Sequence, residues 1–238
     1  MAADSERVVL ITGATGGLGR VVAQRFAQAG YQLALVGSQA GRLAELAGEL
    51  TVPVERVLTF AGDLTQPDTA GNLRQAVLDK FNRVDILLHF VGGWIGGKGF
   101  DQVTSDDLAT MLSQHVWTTF YLAKAFILDM RDQGWGRLIV ISSPVVGAPP
   151  ARNLPYTLGK SGQEALVLTL AEELKSSGVT ANILRVRTID TQQERDASPS
   201  VKNSFWTTPE EIASAIEYLC SEDGAVVNGA RLPLYGSP

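Results

Sequence analysis

The chain has 238 residues, 45% of them apolar, and a formal net charge of −5. That is enough for one large α/β domain or two small ones, and the acidic balance with no Lys/Arg cluster argues against nucleic acid or an anionic membrane as partner. One cysteine, Cys220, excludes an internal disulfide, and two histidines without HxxxH or HxH spacing argue against zinc. The polar opening MAADSER has no secretory pattern and no apolar run nears the ~18–20 residues of a bilayer span, so a soluble, cytoplasmic protein is expected.

In chain order, short apolar runs alternate with helical ones, the pattern of parallel strands joined by crossover helices. RVVLIT (7–12) is a first strand, and VVAQRFAQAG a helix that Gly30 ends. QLALVG (32–37) is a second strand, followed by a helix over GRLAELAGEL. VERVLTF (54–60) is a third strand, and Pro67 opens a helix running to about Lys80. DILLHF (85–90) is a fourth strand feeding the glycine-rich HFVGGWIGGKGF (89–100), and one long helix is expected from about Ser105 to Met130. RLIVIS (137–142) and TANILRV (180–186) are the fifth and sixth strands, around a helix from about Leu154 to Leu174. Residues 188–207 are polar and aperiodic, which marks a functional loop and reads as a lid. TTPEEIASAIEYL restarts a helix, with Thr208 as N-cap, Pro209 first and Glu211 closing a capping box, and RLPLYG is a last short strand. No linker or repeat interrupts this, so residues 1–238 read as one domain.

TGATGGLG (12–19) directly follows the first strand and opens the first helix. Gly13, Gly17 and Gly19 permit a tight turn, close approach to a pyrophosphate and close helix–strand packing, with Thr15 and Leu18 in the same octet. The helix N-terminus supplies free N–H groups and partial positive charge. An acid that would bind the adenosine ribose is expected where the second strand ends, and Gly37 and Ser38 stand there instead. Without it a 2′-phosphate is not repelled, which favours NADP(H) over NAD(H), with Arg42 or Arg20 in reach. Asp63, followed by Leu64, is placed either to bond the adenine or to cap the next helix.

YTLGK puts Tyr156 and Lys160 four residues apart on one helical face. A nearby ammonium favours phenolate and makes the tyrosine a general acid or base. Ser143, after the fifth strand, sits where a loop can fold back to hold a substrate oxygen.

With TGxxxGxG at 12–19, Asp63, the glycine loop, Ser143 and YxxxK at 156–160, the whole chain resembles the short-chain dehydrogenase/reductase family. The resemblance implies a single doubly wound Rossmann domain with a seven-stranded parallel sheet, and hydride transfer between a nicotinamide and a small substrate. Tyr156 would be the acid/base, Lys160 would lower its pKa and bind the nicotinamide ribose, and Ser143 would orient the substrate. Thr191 matches the threonine that contacts the carboxamide, and Gly92 leaves room for the cofactor ribose. The family's NxAG is here His89-Phe90-Val91-Gly92, its long-helix asparagine aligns with His115, and its PG after the sixth strand is Val186-Arg187. Arg187 is open to three readings: cofactor phosphates, an acidic substrate, or solvent. Relatives commonly form homodimers or homotetramers through the helices at 105–130 and 154–177.

GGWIGG and FWTTPEE further resemble the dihydropteridine-reductase-like branch, which assigns Trp94 a stacking role against a flat substrate, the other reading being a cover over a core edge; Trp206, at the end of the lid, is either a second pocket residue or a core anchor for the lid. Gly37 and Ser143 both depart from that branch. A non-catalytic NADP(H)-binding sensor is the competing reading.

Overall fold

Runs of Val, Ile and Leu that can be buried on both faces become the strands of a parallel sheet. The computed structural model describes residues 6–235, so the polar opening at 1–5 and residues 236–238, with the last glycine of RLPLYG, lie outside the described residues. The strands are β1 (Val8–Thr12), β2 (Gln32–Gly37), β3 (Val57–Ala61), β4 (Ile86–His89), β5 (Gly136–Ser142), β6 (Val179–Val186) and β7 (Arg231–Leu234). They form one seven-stranded sheet in the order β3-β2-β1-β4-β5-β6-β7, every pair parallel. This is the single doubly wound α/β domain expected.

Helices α1 (Gly17–Gln28), α2 (Ala40–Glu49) and α8 (Pro209–Cys220) cover one face, where Phe26, Leu43, Leu46 and Ile216 pack on Ile11, Leu35 and Leu184. Helices α3 (Pro67–Phe81), α5 (Thr118–Asp132) and α6 (Leu154–Glu173) cover the other, with Leu73, Phe126 and Val167 against Leu10, Leu87 and Ile183. Each such fully buried side chain contributes about 1.5–3 kcal/mol. Strand order reverses about β1, between β2 and β4, and such reversals open a crevice at the strands' carboxyl ends.

Three local expectations are corrected. Val54–Arg56 is a 3₁₀ turn and β3 begins at Val57, because Pro53 starts a turn there. The long helix is two: α4 (Ser105–Leu112) and α5 are joined through a π-turn at Ser113–Trp117, in which Thr118 N–H reaches Ser113 O. The segment 188–207 contains a short helix, α7 (Glu194–Ala197), whose leading N–H groups are taken by the Asp190 carboxylate. The Thr208–Glu211 capping box forms as read from the sequence. No helix among the described residues is long and apolar enough to cross a membrane.

Candidate active site

The crevice is built first by the turn between β1 and α1. Gly13 holds φ +67°, a conformation that favours glycine. A Cβ on Gly17 would overlap Thr191 Cγ2, so the threonine at 191 folds over the glycine turn. Gly13, Gly17, Leu18, Gly19 and Thr191 line a cleft of about 170 Å³ there, together with Ile141 and Ile189. The N-cap of α1 is Gly16, which offers no side-chain acceptor, so the first-turn N–H groups remain for a ligand. These residues fit the pyrophosphate of a dinucleotide.

A neighbouring cleft of about 210 Å³ is lined by Gly13, Thr15, Ser38, Asp63, Leu64 and Val91, which brings the adenosine-side residues together. The Asp63 carboxylate accepts from Thr65 N–H at 2.9 Å and from Thr65 Oγ at 2.7 Å, bonds that hold it below the usual carboxylate range. It therefore shapes the turn before α3 while standing at the cleft. Arg20, one of two arginines expected to reach this end, is bound by Glu49 at 2.8 Å and Glu45 at 3.5 Å. Arg42 is exposed and, among the described residues, donates only to Thr15 O, at 3.1 Å.

Ser143, Tyr156, Lys160 and His115 meet where β5 ends and α6 begins. Ser143 lies close enough to Tyr156 to pull its pKa down, and the rings of His115 and Tyr156 pack edge-to-face with centroids 5.6 Å apart. Lys160 is buried, and its ammonium donates to Ile141 O at 2.7 Å and Gln163 Oε1 at 3.0 Å. Burial pushes its pKa down to about 7, against an opposing pull from Glu164. The expectation that Lys160 lowers the tyrosine's pKa is not met in this geometry. Nζ lies 6.0 Å from the Tyr156 ring centroid, and burial raises the phenol while only Ser143 opposes it.

The two histidines occupy distinct networks. Thr118 Oγ must donate to Gln114 O (2.8 Å), so it accepts from His89 Nε2–H (3.1 Å), and Thr12 Oγ–H donates to His89 Nδ1 (2.8 Å). His89 is thus a neutral imidazole tying β1 and β4 to the π-turn. His115 Nε2 donates to Gly93 O at 3.0 Å, and its Nδ1 is buried without a partner among the described residues. Burial first, then the Lys160 charge, pushes each ring down to about 3. Gly92 is required here, because a Cβ on it would overlap the His115 ring. Gln163 closes the circuit: it accepts from Lys160 and donates to Thr119 Oγ (3.0 Å), which donates to His115 O (2.6 Å).

The glycine loop at 92–99 is fastened to the segment before Tyr156. Gly97 N–H donates to Arg152 O at 2.7 Å, Arg152 Nε to Gly97 O at 2.8 Å, and Trp94 Nε1 to Asn153 Oδ1 at 3.1 Å. Trp94 stays 63% exposed although its N–H is fixed, so a rigid indole face stands free. Trp206, half-buried, lines neither cleft. Sequence reading missed Asn153 and Gln163. No local motif marks them, although both lie within ten residues of Tyr156.

A family model described as short chain dehydrogenase matches residues 7–202. The 1,6-dihydroxycyclohexa-2,4-diene-1-carboxylate dehydrogenase of Pseudomonas putida is 30% identical, over 97% of this chain and 91% of that protein. Acetoacetyl-CoA reductase of Cupriavidus necator is 26% identical over 98% of each chain. Among solved structures, a short chain dehydrogenase from Bacillus anthracis superposes with a TM-score of 0.88 at 26% identity, covering 98% of this chain and 97% of that one.

Proposed function

The chain belongs to the short-chain dehydrogenase family, and from that membership we propose that it is an NADP(H)-dependent oxidoreductase acting on a small, flat carbonyl, alcohol or quinonoid compound. The observation that carries the proposal is the meeting of Ser143, Tyr156, Lys160 and His115 at one sheet edge, beside a glycine cleft suited to a dinucleotide. The dinucleotide, when bound, supplies or accepts the hydride. The first-turn N–H groups of α1 with Gly13, Gly17 and Thr191 would hold its phosphates, and Ser38, Asp63 and Leu64 its adenosine.

Tyr156 is the proton donor. Burial raises its pKa, so the phenol is protonated at neutral pH and suited to give a proton to a carbonyl oxygen. The Ser143 hydroxyl, near the phenol, holds that oxygen beside it. Lys160, poised at about 7, changes charge with small changes in its surroundings and supports proton return to Tyr156. His115 Nδ1 is an open acceptor behind that pair. NADP(H) preference rests on the absent acid at Gly37 and on Arg42, whose guanidinium has no carboxylate partner among the described residues and lies beside the adenosine cleft. Residues 188–207 act as the lid.

The test is Tyr156→Phe, followed by NADPH oxidation with a panel of aldehydes, quinones and quinonoid dihydropterin. Loss of about 10²–10⁴-fold in turnover with cofactor affinity kept is expected. Turnover unchanged in the variant, or no oxidation by wild type with any panel member, counts against the enzyme reading and for a cofactor-binding sensor. The exposed, tethered Trp94 face favours the dihydropteridine-reductase-like form of the proposal. In that case the dihydropterin is the best substrate of the panel. Homo-oligomers would form across α5 and α6, where Phe120, Ile127, Leu128, Leu166 and Leu170 line an apolar groove of about 500 Å³. A monomer by light scattering refutes that.

A further inference from the structure

Three arginines lie along β6 and β7: Arg231 where β7 begins, Arg185 near the end of β6 and, at the bend just beyond it, Arg187. The carboxylate they meet is Glu164, which is buried and already full. It accepts from Arg185 at 2.6 Å, Arg231 at 2.8 Å and Ser142 at 2.7 Å. Arg187 has no carboxylate within ion-pair distance among the described residues. Asp190, three residues on, is buried and committed to the backbone N–H groups of Glu194 and Arg195. Arg187 itself is exposed, and its guanidinium lies 5.0 Å from the centroid of the Phe205 ring, which steadies it from the lid side.

The register places this free charge. Ser142 pairs with Arg185 across β5 and β6, so Arg187 is one strand over and one residue beyond Ser143, about 6 Å away on strand spacing. The same segment carries Ile189 and Thr191 into the cleft at the glycine turn, so a cofactor phosphate is the competing ligand for this guanidinium, and the effect of its removal on NADPH binding separates the two. A planar, permanently charged fork carried on a backbone position beside that of Ser143 matches a carboxylate.

Resting on the oxidoreductase reading above, we infer that Arg187 binds a carboxylate on the substrate. The preferred substrate class is then a small ring compound bearing both the reacting carbonyl or alcohol and a carboxylate.

The experiment compares 4-formylbenzoate with its methyl ester, using NADPH and the full chain. Wild type is expected to favour the acid in kcat/KM by at least about tenfold, the scale of a charge-assisted hydrogen bond. Arg187→Met should bring the acid-to-ester ratio within twofold, and Arg187→Lys should leave it between. A wild-type ratio near one overturns the inference. So does Arg187→Met weakening NADPH binding tenfold with the ratio intact, which would return Arg187 to the cofactor. If wild type reduces neither aldehyde, the catalytic reading fails, and binding still decides Arg187. Benzoate should quench tryptophan fluorescence of the NADP-loaded protein at concentrations at least tenfold below benzamide, and Arg187→Met should abolish that difference. Equal binding of the two by wild type refutes the inference.

Discussion

Lowering the pH from 6.5 to 5 should destabilise this protein through His89 and His115. Both rings are buried, and each has a folded pKa of about 3 against an ordinary 6.5. Between those values the unfolded chain takes up protons that the folded chain refuses. Stability is therefore full above 6.5 and drains as pH falls toward 3. At pH 5 the unfolded imidazole has gained about 1.6 kcal/mol relative to pH 6.5, so the pair costs roughly 3 kcal/mol, a large part of a typical folding free energy. Other groups move little in this interval. Lys160, at about 7, is mostly charged in both states, and Asp63, Asp107 and Glu164 are held below their ordinary values of 3.8 and 4.5. Urea denaturation at the two pH values gives the loss directly. His89→Asn and His115→Asn, which keep a donor and an acceptor but do not titrate, should each remove about half of it. A loss below about 1 kcal/mol in wild type, or the same loss in the double variant, refutes the assignment of neutral buried rings.

Further predictions follow from the site's contacts. Arg42→Ala should raise the Kd for NADPH about tenfold and leave that for NADH within about twofold, as measured by cofactor fluorescence, since only the 2′-phosphate distinguishes them. Equal effects on both cofactors sink the role given to Arg42. Asn153→Leu removes the acceptor of the Trp94 N–H, and should raise KM for ring substrates about 3- to 10-fold with little change in kcat while shifting tryptophan emission. A drop in kcat alone would contradict it. Gly17→Ala should weaken cofactor binding in calorimetry because its Cβ meets Thr191 Cγ2, and Thr191→Ser should restore part of the loss. Wild-type affinity in Gly17→Ala would mean the close approach is not used.

Much of the fold is legible because its signals are local. The run Val8–Thr12 is buried on both faces as its composition implies, and Thr208, Pro209 and Glu211 form their cap without help from distant residues. The errors arise where a neighbouring element decides. Val54 to Arg56 carries strand-like residues, yet Pro53 turns the chain before the sheet is reached. The glycine octet and YxxxK mark segments that the fold brings near each other: Ile141 O accepts from Lys160, and Ile141 lines the cleft at the glycine turn. The direction of the Lys160 ammonium was not legible, because Ile141 O and Gln163 Oε1 compete for it only once α6 lies on β5. Nor was the Trp94–Asn153 bond, which joins two loops 59 residues apart. Trp206 was singled out for its place at the end of the aperiodic segment, but its backbone is used there, accepting from Arg195 and donating to Asn203.

The π-turn at Ser113–Trp117 has a consequence for how this site varies. An i→i+5 turn holds one residue more than an α-turn, so it offsets the phase of α5 against α4. Removing any one residue of the five would heal the run into a continuous α-helix. Both halves would keep their lengths and apolar stripes, while Thr118 would swing away from His89 and, where Ser113 or Gln114 is the residue lost, His115 would swing against α4 and away from Gly93, by about a quarter turn or more. The aim of His115 is thus encoded in a count of residues rather than in their identities. Substitution libraries, which preserve chain length, leave that variable untouched, and single-residue deletions are the changes that sample it.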